Sequence, residues 1–161
     1  MEFLQILKLS DINIHNPWTN APKGTILQMI SGDGVVIGMR TTYGEPDALI
    51  ILAGKHAGEL ITDANLTGPA LDLGELGEQV EIVACDPAPR LSATVEAGFL
   101  CRHRTSPNVY FVWGKFAGRS AGGVCVASDD PKSPVGECYP NLGQTTVIAI
   151  GRVDLRLRES S

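Results

Sequence analysis

The chain has 161 residues, of which 43% are hydrophobic and 19% charged, with 18 glycines and 10 prolines. A chain of this length fits one domain that buries about two thirds of its unfolded surface without a disulfide or metal staple, and so many turn formers argue against a helical bundle. The formal net charge of −5 excludes a general nucleic-acid-binding surface, because an acidic protein repels phosphate backbones.

The chain opens MEFLQILKLSD, with an acid at position 2 and only a short apolar stretch. A secretory signal carries early positive charge and a longer apolar core, so a cytoplasmic protein is expected. No membrane association is expected either, because the longest apolar run, residues 48–53, is far short of the roughly 20 residues a spanning helix needs. Segment 3–9 fits a strand or one short helix. Trp18 falls in the loop His15-Asn16-Pro17-Trp18, where a tryptophan either lids the core or anchors a partner.

Residues 25–30 and 35–41 read as strands, and Ser31-Gly32-Asp33-Gly34 between them supplies the positive φ values of a tight hairpin turn. Gly32 and Gly34 match part of a dinucleotide fingerprint, but a strand follows where that motif needs a helix. Strands are also expected at 48–53 and 59–62. Asn65-Leu66-Thr67 is a glycosylation sequon without a secretory context. Segment 70–76 is a helical candidate weakened by Gly74. A strand follows at 80–85.

The clearest alternation runs over 91–103. Odd positions Leu91, Ala93, Val95, Ala97, Phe99, Cys101 and His103 are mostly apolar, and even positions mostly polar. Period two of this kind marks a half-buried strand with Phe99, Cys101 and His103 facing the core, and Gly98 marks a bulge or bend. Phe99→Asp is then expected to unfold the protein. On the strand 109–113, Val109, Phe111 and Trp113 share the core face, while Tyr110 points away and is a candidate partner contact. Gly118-Arg119-Ser120-Ala121-Gly122 matches a nucleophile elbow, yet no histidine follows Ser120 and the next residues are strand-like. A strand at 124–127 precedes the polar loop 129–141. Residues 147–150 are apolar on both faces and 153–157 alternate, so a bulge is natural at Gly151.

Four cysteines stand at 85, 101, 125 and 138, and free thiols are expected in a reducing compartment. Cys101 and His103 are the metal-ligand candidates, since residues two apart on a strand share a face, with His15 and His56 as further partners. Against this, zinc sites use closely spaced cysteine pairs, which this chain lacks, and a free cysteine packs as a small hydrophobe. No linker, internal repeat or low-complexity tract is legible.

These features describe one all-β domain spanning 1–161: an antiparallel β-sandwich or partly closed β-barrel with at most one or two short helices. No catalytic set and no cofactor is expected. The leading functional expectation is a non-catalytic protein-binding or assembly module, with a protein partner or self-association as a homodimer. The alternatives are a small metal- or thiol-dependent enzyme and a barrel that binds a small apolar ligand.

Overall fold

The computed structural model describes residues 13–31, 34–42, 47–62, 68–75, 80–85, 97–106, 108–114, 122–139, 142 and 146–157. Their backbone amides are taken up mainly by antiparallel ladders, as strand-forming sequence between glycine- and proline-rich turns requires. Strands β1 (Asn13–His15), β2 (Thr25–Ser31), β3 (Gly34–Thr42), β4 (Asp47–Ile51), β5 (Leu60–Thr62) and β6 (Ala70–Glu75) make one sheet in the order β1-β6-β2-β3-β4-β5. Strands β7 (Val80–Cys85), β8 (Phe99–His103), β9 (Tyr110–Gly114), β10 (Gly122–Ala127), β11 (Cys138–Tyr139) and β12 (Val147–Leu157) make the other, in the order β7-β12-β8-β9-β10-β11. The sheets do not close into a barrel; the architecture is a β-sandwich.

Both halves of the chain thus run first, sixth, second, third, fourth, fifth strand across their sheet. The local hydrogen bonds repeat as well. Gly24 N–H donates to Arg40 O and Gly98 N–H to Trp113 O, each at 2.8 Å. Gly58 N–H donates to Ile51 O and Gly136 N–H to Cys125 O, again at 2.8 Å. Register pairs Gln28 with Ile37 and Leu71 in the first half, and Arg102 with Tyr110 and Ile148 in the second. The domain is a structural repeat of two six-strand units.

The contacts between the units are reciprocal. A Cβ on Gly136 would lie 2.5 Å from Gly24 N, and one on Gly98 would lie 2.7 Å from Ala57 O, beside Gly58. Gly24 and Gly98 precede the second strand of their units, and Gly58 and Gly136 precede the fifth. A two-fold relation between the units produces this exchange. All four have φ near +90°, where a side chain is strained. Thr41 Oγ1 also donates to Gly136 O at 2.7 Å, and Lys23 pairs with Glu137 at 2.9 Å.

Between the sheets lies a core of Ile26, Ile37, Met39, Ile50, Leu52 and Leu73 from the first unit against Val80, Leu100, Val112, Val124, Val126, Val153 and Leu155 from the second. Each outer face carries an apolar cluster too. Trp18, 1% exposed, sits in a short 3₁₀ turn over Leu27, Met29, Leu49 and Ala70. On the second sheet Cys101, Val109, Phe111, Trp113, Cys125 and Val147 pack together.

Most expected strands are present within a residue or two, and β7 coincides with 80–85. The hairpin exists, with Ser31 opposite Gly34; the conformation of Gly32 and Asp33 lies outside the described residues, as do segment 3–9, residues 91–96 and Ser120. Three readings are corrected. Within the segment 70–76, residues Ala70–Glu75 form strand β6 instead of a helix, because pairing with β1 and β2 satisfies their backbone and Gly74, at φ +85°, breaks helical geometry. Strands β1 and β11 have no counterpart among the expected elements. The face assignment of β8 and β9 is inverted: Leu100 and Val112 face the other sheet, while Cys101, Phe111 and Trp113 fill the outer cluster. Alternation locates a strand's two faces but does not say which one meets the partner sheet when both are apolar.

Candidate binding groove

The residues singled out from the sequence do not form one constellation. His15 Nε2 lies 2.7 Å from Asp72 Oδ2, whose Oδ1 accepts from Gly74 N–H at 2.7 Å. His56 Nδ1 pairs with Glu59 in the exposed turn before β5. His103 Nδ1 accepts from the backbone N–H groups of Thr105 and Ser106, each at 3.2 Å. That commits one ring nitrogen to holding the β8–β9 turn and leaves the proton on Nε2. Cys101, two residues away, is fully buried and donates weakly to Phe99 O at 3.7 Å. Among the described residues no three His, Cys, Asp or Glu side chains converge as a metal site would require.

The thiols are set by burial. Cys101, Phe111 and Cys125 lie across one row of the outer face, which spaces the two cysteines about 9–10 Å apart and rules out a bridge between them. Burial pushes the Cys101 thiol up to about 12, and Cys125 and Cys138 up to about 11; a backbone bond to Ala127 partly offsets the shift at Cys125, and the Glu137 carboxylate adds to that at Cys138. A thiol that resists ionisation is a poor nucleophile. In the unfolded chain the same thiols ionise near 9. Above that pH the unfolded state binds fewer protons, so this contribution to stability is intact below pH 9 and is lost as pH rises toward 11–12. Iodoacetamide at about pH 8, below the ordinary thiol pKa, is therefore expected to label exposed Cys85 first and leave Cys101 and Cys125 unmodified until the protein unfolds. Equal labelling of Cys85 and Cys101 in native protein would contradict the burial.

The inner face of the second sheet is only partly covered by the first. Its open part forms a groove of about 560 Å³, floored by Leu100, Tyr110 and Val126 and continued by Ile150, Ile82 and Ala84, with Glu81 and Ala127 at its margins. Two β-bulges shape it. The β9–β10 register shifts between Cys125 and Ala127, so that Val126 and Ala127 together face Tyr110. The β12–β8 register shifts between Ala149 and Gly151, as expected at Gly151, and brings Ile150 into the groove while Ala149 stays on the outer face. A bulge re-aims a side chain, and bulges concentrate beside functional sites. Tyr110, whose position in the alternation turns it away from Phe111 and Trp113, is half-buried on this groove. Trp18 faces the first sheet instead of solvent.

The repeat supplies an internal comparison. Register places Ile26, Ile37, Leu52 and Leu73 where the second unit has Leu100, Tyr110, Val126 and Ile150. All four are buried, at 0%, 8%, 0% and 0% exposure. Leu100 and Val126 are as buried as their equivalents, at 7% and 1% exposure, so among the described residues the units differ at half-buried Tyr110 and Ile150. From the sequence Val126 and Ile150 read simply as buried strand residues and Leu100 falls on the mostly polar face of 91–103, so Gly151 is the one local signal of the groove. Comparison with known protein families, curated proteins and solved structures gave no match. Among the described residues no helix is long and apolar enough to cross a membrane.

Proposed function

We propose that this domain is a non-catalytic binding module whose groove takes a small apolar molecule. The observation that carries the reading is the open groove of about 560 Å³ on the inner sheet face, walled by aliphatic side chains and Tyr110. Its size falls in the range of small-molecule pockets, which combine apolar walls with a few polar groups. The high thiol pKa values and the commitment of His103 Nδ1 to its own turn weigh against thiol or metal chemistry at Cys101 and His103.

The neutral fluorophore N-phenyl-1-naphthylamine is expected to bind the groove, and Ala84→Trp to weaken it at least tenfold with an unchanged melting temperature. Ala84 is exposed on edge strand β7, so a larger side chain there obstructs the groove without disturbing the core. Undiminished binding in the variant would remove the groove as the site. A second reading, self-association, is supported by Ile14, 63% exposed on edge strand β1. Exposed edges invite pairing with a second chain. Native mass spectra would report both properties, and monomer alone across a wide concentration range would retire the assembly reading.

A further inference from the structure

We infer that the ligand of this groove is an amphiphile with an anionic head, a carboxylate on an apolar body, received by Arg102; the inference rests on the groove being a binding site. Arg102 pairs in register with Tyr110 on one side and Ile148 on the other. Its stem therefore emerges on the inner face, in the row just beyond Leu100. Tyr110 and Ala127 of that same row line the groove.

The Arg102 Nε is buried and has no hydrogen-bond partner. No ion pair joins Arg102 to any described residue, although the chain carries 18 acids. Asp129, two residues beyond Ala127 of that row, is engaged by the Asn108 side chain at 2.8 Å. A guanidinium with a buried, unused donor is stabilised by an acceptor, and a carboxylate matches its planar fork. Exposed Arg104, two residues on, adds positive charge at the same end of β8.

The internal comparison sharpens this. The position equivalent to Arg102 in the first unit holds Gln28, 3% exposed and likewise with a buried unpartnered side-chain atom, its Oε1, so the two positions differ in charge. At this position only the second unit carries a cation. Ile148, 36% exposed in the same row, offers further apolar surface beside the guanidinium. An apolar groove with an arginine in the row of its Tyr110 and Ala127, its Nε unused, complements an acyl chain ending in a carboxylate, while an alcohol of the same length would leave the charge without a counter-ion.

The test uses displacement of N-phenyl-1-naphthylamine by dodecanoate and by dodecanol below their aggregation concentrations, with the wild-type protein, Arg102→Gln and Arg102→Lys. Dodecanoate is expected to bind wild type at least tenfold more tightly than dodecanol. Arg102→Gln is expected to weaken dodecanoate at least tenfold and dodecanol less than twofold, and Arg102→Lys to recover part of the loss. Equal displacement by the two probes in all three proteins would overturn the anionic head and leave the groove reading standing. A preference for dodecanoate that survives Arg102→Gln would overturn Arg102 as its receiver. Failure of every probe to bind would overturn the groove itself.

Discussion

Replacing Gly58 by alanine is expected to lower stability by about 3 kcal/mol or more, and the melting temperature by about 10 °C. Two effects add. Gly58 has φ +90°, a conformation that costs an L-residue about 1–2 kcal/mol. The new Cβ would also meet backbone of the other unit: it would lie 2.8 Å from Trp113 O and closer still to Gly98 N. Backbone in a sheet cannot move aside as a flexible side chain can. Gly54, four residues earlier, separates the two effects, because it has φ +85° and a Cβ added there would meet nothing within 4 Å. Gly54→Ala should therefore show the conformational cost alone, about 1 kcal/mol. Thermal melts of the two variants make the comparison. If Gly58→Ala melts within about 2–3 °C of Gly54→Ala, roughly 1 kcal/mol for a domain this size, the docking of the β4–β5 turn onto the β8 entry is wrong. Gly136→Ala should match Gly58→Ala, since its Cβ would meet Gly24 N at 2.5 Å.

That equivalence shows what the sequence hid. The two-unit repeat leaves short traces, such as Gly58-Glu59 against Gly136-Glu137 and Leu73-Gly74 against Ile150-Gly151. The spacing between equivalents drifts: 74 residues from Gly24 to Gly98, 78 from Gly58 to Gly136 and 77 from Gly74 to Gly151. A fixed-period search misses them. What repeats is the backbone demand, glycine at a positive φ or at a close approach, while the apolar positions need only be apolar. Ile26 and Leu100 serve equally well.

Strand positions were legible because alternation and turn residues are local properties. Thr25–Ser31 and Gly34–Thr42 follow from β-branched residues on either side of an Asp-Gly pair. Pairing that depends on distant residues was not legible. Ala70–Glu75 has the Leu-Asp-Leu spacing of a strand, but only the ladders to β1 and β2 decide against a helix. The groove was illegible for the same reason. Val126 and Ile150 look like any core residues, Leu100 sits among polar neighbours, and whether the opposite sheet covers Tyr110 and Ile150 depends on the offset between two sheets.

The inverted face of β8 leads to the second large effect. Val112→Asp is expected to abolish folding, whereas Phe99→Asp, which the alternation alone marks as disruptive, is expected to cost only about 2 kcal/mol. Val112 is 0% exposed in the core between the sheets, among Leu100, Val124 and residues of the first unit. A carboxylate there has neither water nor a cation, and the penalty of several kcal/mol is comparable to the roughly 5–15 kcal/mol that holds a domain together. Phe99 is half-buried at the margin of the outer cluster, and the Arg152 guanidinium carbon lies 5.8 Å from its ring centroid. An aspartate at that position stays hydrated and gains a cationic neighbour, so the loss is mainly that of partly buried ring area. Circular dichroism with urea titration distinguishes the two variants. A folded Val112→Asp protein beside an unfolded Phe99→Asp protein would mean that the odd face of β8 meets the first sheet, and would remove the inner-face groove together with its row of Tyr110 and Arg102.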